Sequence, residues 1–133
     1  MKFSKLYILA VFFGLTGAVA GALAGGFIAA ARCEGGPECL GAAFLGVGLG
    51  AVLVESSAMA LAAHLANRRR GNLLPTFLTT LALAVTIVLA LLPGFTAPLA
   101  LPLFLFQAWV CVKVQLATGG RKRVGRRARS GSR

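Results

Sequence analysis

Few residues in this chain can do chemistry, and they fall in two places. The first is RCEGGPECL, where Cys33 and Cys39 flank Glu34, Glu38 and a Gly35-Gly36-Pro37 centre. Two thiolates and two carboxylates could hold zinc, two thiols could cycle between dithiol and disulfide, or the pair could close a turn. No histidine stands nearby to complete a zinc set, and the spacing is not the C-x-x-C of redox-active pairs. Gly-Gly-Pro favours a tight turn. The spacing therefore points first to a structural disulfide between Cys33 and Cys39, with a redox pair and a metal site as alternatives.

The second place lies inside long apolar runs. Glu55 interrupts one of them, and a charged side chain at mid-membrane costs about 3 kcal/mol on insertion scales. Such a residue faces the interior of a helix bundle and is a functional candidate by default. Thr76, Thr79, Thr80 and Thr86 fall within about 120° of arc at 100° per residue. Gln107, Cys111 and Gln115 are four apart and share a face. Antiparallel packing would bring Thr86 to the depth of Glu55. The expected intramembrane polar site is Glu55, Thr86 and Gln107, serving as interhelical hydrogen bonds or, alternatively, as a proton or cation site. Glu55 and His64 stand nine residues apart, about 900° of rotation and ~13 Å of rise, so they cannot touch. His64 is expected at the membrane surface.

Little other chemistry is open to the chain. It has one histidine, no aspartate and three glutamates, which excludes a Ser-His-Asp triad and most metal constellations within it. Its glycines lie in apolar runs, without the strand-to-helix setting of a phosphate loop or a dinucleotide fingerprint. No catalytic residue, metal ligand or cofactor is assigned, and the chain is read as a non-enzyme of accessory or structural type.

These residues are positioned by elements that composition makes plain. Of 133 residues, 58% are hydrophobic and only 13% charged, too apolar for a soluble globule of this size. Mean hydropathy is +0.85. Four runs, 6–31, 40–66, 73–92 and 98–116, each approach or exceed the ~20 residues that cross a bilayer as a helix. Only helices satisfy the backbone there without water. The expected fold is all-α, four transmembrane helices in two antiparallel hairpins. Residues 1–117 form the membrane domain, and 118–133 a basic, disordered tail.

Charge sets the orientation. The net charge of +11 comes from short basic blocks beside the apolar runs. Lys2 and Lys5, then Arg68, Arg69 and Arg70, then the tail from Arg121, Lys122 and Arg123 onward belong on the cytoplasmic side by the positive-inside rule. RCEGGPEC and PGFTAP then face outward, and both termini are cytoplasmic, in a bacterial inner membrane. Lys113 lies in a span near its inner end and can snorkel to the surface. The arginine blocks are expected to contact anionic lipid headgroups. The tail carries no aromatic residue to stack on bases, which argues against nucleic acid as a partner. The N-terminal run also has the basic start and A-x-A patterns of a cleaved signal peptide. Against cleavage, the run continues unbroken to Arg32.

Gly17, Gly21 and Gly25 recur every fourth residue, as do Gly46 and Gly50. Small residues at this spacing let two helix backbones approach closely. The strips either pack the first two helices together or face a second copy of the chain or another membrane protein.

Two layouts are similar in part. Four spans with an outer cysteine pair resemble the quinone-linked membrane enzymes that make protein disulfides, which would imply thiol chemistry at Cys33 and Cys39. Those enzymes use C-x-x-C, whereas here five residues intervene. A mid-membrane glutamate in a four-span chain is similar to small multidrug exporters, whose glutamate lies in the first span. Glu55 lies in the second. Neither resemblance rests on a shared motif.

Overall fold

The computed structural model describes residues 3–33, 35–69, 71–91 and 97–130, with side chains left aside at 90, 91, 97 and from 120 onward. It is all-helical, and the described residues contain no strand. α1 runs Phe3–Ala31, α2 Pro37–Ala66, α3 Leu73–Leu91 and α4 Ala97–Ser130. Expectations for Arg70, for the PGFTAP turn, and for the side chains of Arg121, Lys122 and Arg123 fall outside the described residues.

Three helical stretches are long and apolar enough to cross a membrane: Phe3–Ala31, Pro37–Ala66 and Pro98–Gly119. α3 is the short one. It has 19 residues from Leu73 to Leu91, about 28 Å at 1.5 Å per residue, close to the thickness of a bilayer core. One difference lies at the end of the chain. α4 continues to Ser130, so the backbone of 118–130 is helical where composition leads one to expect disorder. Lys and Arg are good helix formers, and an existing helix removes the cost of nucleation.

Helix boundaries follow local chemistry. Pro37 opens α2, where its missing N–H costs nothing. Gly35 and Gly36 before it have φ of 96° and 129°, a region that side chains with a Cβ avoid. Cys33 and Cys39 are joined by a disulfide across this turn, with Cα atoms 5.6 Å apart. At the other end of α2, Asn67, Arg68 and Arg69 donate their backbone N–H groups to Ala63, Leu65 and His64, each at 3.0 Å. Arg68 and Arg69 pay for this winding with left-handed φ values of 53° and 57°. Pro102 stands inside α4, beyond its first turn, where it removes one backbone donor.

α1 packs most extensively on α2, and the contact is backbone to backbone. A Cβ on Gly21 would strike the carbonyl oxygen of Gly50, and one on Gly25 that of Gly46. Gly17 faces Ala58, with 2.8 Å from a notional Cβ, and Gly14 faces Met59. Residue numbers rise along α1 as they fall along α2, so the two helices run in opposite directions. α1 also meets α4, and α3 meets α2 and α4. The apolar core gathers Leu6, Ala10, Met59, Ala63, Ala108, Cys111 and Val112. Tyr7 ties α1 to α4 by donating its hydroxyl to the Leu105 carbonyl at 3.3 Å.

Polarity is inverted relative to a water-soluble bundle. Large apolar side chains such as Phe12, Leu23, Phe27, Phe44, Leu45 and Leu101 point outward, while Ser56, Thr76, Thr80, Gln107 and Gln115 are buried.

Candidate functional site

The buried polar residues form two levels between α2, α3 and α4. Each level brings together an ionisable residue of α2, a glutamine of α4 and a threonine of α3. Gln107 and Gln115 lie on one face of α4, about 12 Å apart in rise. Thr76 and Thr80 lie one turn apart on α3.

At the upper level Gln107 is buried, and its side chain faces the half-buried carboxyl of Glu55. Its Nε2 also points to the Thr80 carbonyl at 3.4 Å, a long hydrogen bond. The Thr80 hydroxyl donates to the Thr76 carbonyl at 2.7 Å. Next to Glu55, the Ser56 hydroxyl is fully buried and finds no hydrogen-bond partner among the described residues. A buried hydroxyl left this way costs about 1–3 kcal/mol.

At the lower level more hydrogen bonds join the helices. Thr76 Oγ1 donates to Gln115 Oε1 at 2.7 Å, with the Asn72 carbonyl as a second acceptor at 2.8 Å. The oxygen of the Gln115 amide is thereby turned to Thr76 and its Nε2 to His64 Nδ1, 3.1 Å away. Which of the two nitrogens donates depends on the imidazole tautomer. Asn67 Nδ2 reaches the Gln115 carbonyl at 3.5 Å, and Thr118 accepts from the Asn72 N–H at 3.2 Å. Gly71 is buried against this group, and a Cβ there would run into the Gln115 amide.

The structure brings Glu55 to Gln107, as the spacing suggests, but not to Thr86. Thr86 is exposed and donates to the Ala82 carbonyl of its own helix at 2.8 Å. Helical geometry explains this. Thr76, Thr80 and Ala84 are buried and step by 40° around α3, so Thr86 lies about 120° from the centre of the inward face. On the inward face the corresponding residue is Ala84, which is buried. His64 is half-buried and engaged with Gln115. Neither His64 nor Gln115 was placed in the expected site. The four-residue spacing of Gln107, Cys111 and Gln115 was the available signal, and it marks the face that carries both glutamines.

Arg68 and Arg69 are exposed beside this lower level. Gly17, Gly21, Gly25, Gly46 and Gly50 all lie in the contact between α1 and α2. Cys111 is buried beside Thr80, remote from the disulfide. No cluster of three or more His, Cys, Asp or Glu side chains suited to a metal occurs among the described residues. The arrangement can join helices and orient a carboxyl group, and it offers no nucleophile paired with a base.

The fold and these contacts define an all-helical protein whose helices are compatible with a small membrane protein. The chain matches no known protein family, no curated protein and no solved structure.

Proposed function

We propose that the chain is a small polytopic membrane protein of accessory or structural type, without catalytic activity. In this reading it is two antiparallel helical hairpins in a bacterial inner membrane, with both termini cytoplasmic. The observation that carries the reading is the inverted polarity. Phe12, Leu23, Phe27, Phe44 and Leu45 present hydrocarbon to the surroundings while Gln107, Gln115, Thr76 and Thr80 turn inward. In water that surface would far exceed the apolar patches that soluble monomers tolerate. The arginines at Arg68–Arg70 and from Arg121 onward would rest on an anionic inner leaflet. The glycine strips meet each other across α1 and α2, so any self-association in this reading uses other faces of the chain. Two measurements test the proposal. The protein should stay with membranes after alkaline washing and need detergent for release. After mild reduction, an impermeant thiol reagent added to intact cells should label Cys33 and Cys39; labelling only after the cells are opened would overturn the orientation.

The meeting of Glu55 with Gln107, beside the unpartnered Ser56 hydroxyl, supports a second reading, a small channel or proton-coupled transporter. Glu55→Gln should then abolish a proton or cation flux measured in proteoliposomes. Flux equal to the unmodified protein would end this reading.

A further inference from the structure

The seam between α1 and α4 carries a cation with no counter-charge among the described residues. Lys113 is exposed on α4, and its Nζ lies 5.2 Å from the Trp109 ring centre and 5.7 Å from that of Phe3 on α1. Two ring faces hold the ammonium by cation–π attraction and fix its position. The two acidic residues among the described residues stand elsewhere. Glu38 lies in the first turn of α2, at the far end of the α1–α2 pair from Phe3. Glu55 faces Gln107, six residues and about 9 Å along α4 from Lys113. Lys5, two residues beyond Phe3, is exposed as well and adds a second positive charge to this end of α1. The apolar approach is also prepared. Phe106 stacks on Trp109 with ring centres 5.9 Å apart, and both rings are about half exposed.

We propose that this seam binds an anionic phospholipid of the inner leaflet. Lys113 takes the phosphodiester, and Trp109 with Phe106 receives the start of an acyl chain. Charge complementarity selects the occupant. No carboxylate among the described residues pairs with the ammonium, and the seam end level with Phe3 meets the headgroup layer in the orientation proposed above. A free phosphate would satisfy the lysine but leave the aromatic wall uncovered. The site rests on the membrane reading and adds to it a defined lipid contact.

Trp109 is the only tryptophan, so its fluorescence reads this site alone. The experiment uses the full chain in neutral detergent micelles, titrated with phosphatidylglycerol, with phosphatidylcholine, and with soluble glycerol phosphate. Phosphatidylglycerol should shift Trp109 emission saturably, at a mole fraction about fivefold below that needed for phosphatidylcholine, the effect of one basic residue at an anionic surface. Glycerol phosphate should leave the emission unchanged. Lys113→Gln should bring the phosphatidylglycerol midpoint up to that of phosphatidylcholine, while Lys113→Arg keeps it low. Phe3→Leu, which removes one ring face without touching charge or Trp109, should raise the midpoint part of the way. Equal midpoints for the two lipids, a Lys113→Gln variant that titrates like the unmodified chain, or saturation by glycerol phosphate would each overturn the proposal. A chain that needs no detergent would instead refute the membrane reading, so the two failures are distinguishable.

Discussion

Gln115 is the side chain on which the lower polar level turns. It is the common partner of His64 on α2 and Thr76 on α3, and it fills the space that Gly71 leaves open. Removing it strands few groups. Thr76 keeps the Asn72 carbonyl as an acceptor, and the half-buried His64 ring can reach water. Gln115→Ala should therefore cost only about 1 kcal/mol, near the upper range measured for polar contacts between membrane helices. Gly71→Ala is the harsher change, because the new methyl meets both the amide and the backbone carbonyl of Gln115. Overpacking of this kind costs about 1–3 kcal/mol. Part of that collision is with the removable side chain, so the pair should couple. The double variant should be more stable than the sum of the two losses predicts, by at least about 0.5 kcal/mol. Reversible unfolding in mixed micelles, followed by circular dichroism, measures all three; strict additivity would show that the Gly71 strain lies wholly in the backbone.

At the scale of elements, the glycines fall into two classes that unfolding can separate. Gly21 and Gly50 are in the contact where helix backbones touch, whereas a Cβ on Gly48 would meet nothing within 4 Å. Gly48→Ala should leave the protein unchanged or stabilise it by up to about 1 kcal/mol, since alanine is the better helix former. Gly21→Ala should destabilise by about 1–3 kcal/mol, because the obstructing atoms are the carbonyl of Gly50 and cannot rotate away. Equal effects at the two positions would mean that α1 and α2 are not in backbone contact. The same four-residue spacing was legible in the sequence, because a small-residue strip depends only on helix periodicity. Which helix it meets is a question of tertiary register. α3 shows the same division. Its threonines could be read as one polar stripe, yet only Thr76 and Thr80 are buried. Thr79 and Thr86 satisfy their hydroxyls on carbonyls of their own helix. A threonine in a helix always has that local option, so periodicity alone could not tell an inward hydroxyl from an outward one.

For the whole molecule, the order of apolar runs and turn signals made the helix boundaries readable to within three residues, except for the end of α4, which continues to Ser130, since most boundaries are local chemistry such as Gly36-Pro37. What was not readable was the pairing of His64 with Gln115, fifty-one positions apart, because it depends on how α2 and α4 settle in depth. The disulfide bears on the same problem of global arrangement. In a chain that unfolds to coil, closing so short a ring contributes roughly 2 kcal/mol by restricting the unfolded state. A membrane protein unfolds differently, because inserted helices keep their backbone hydrogen bonds and lose only their mutual packing. With α1 and α2 both inserted, the short turn from Arg32 to Gly36 already holds their ends together. The disulfide then removes little further freedom. A double Cys33→Ser/Cys39→Ser variant should accordingly lose well under 1 kcal/mol in mixed micelles that preserve helicity. In a denaturant that melts the helices the same variant should lose the full ~2 kcal/mol. The two titrations, read by helix-helix proximity and by circular dichroism, decide the matter. A full-sized loss in both would mean that α1 and α2 do not persist as inserted helices once their packing is lost.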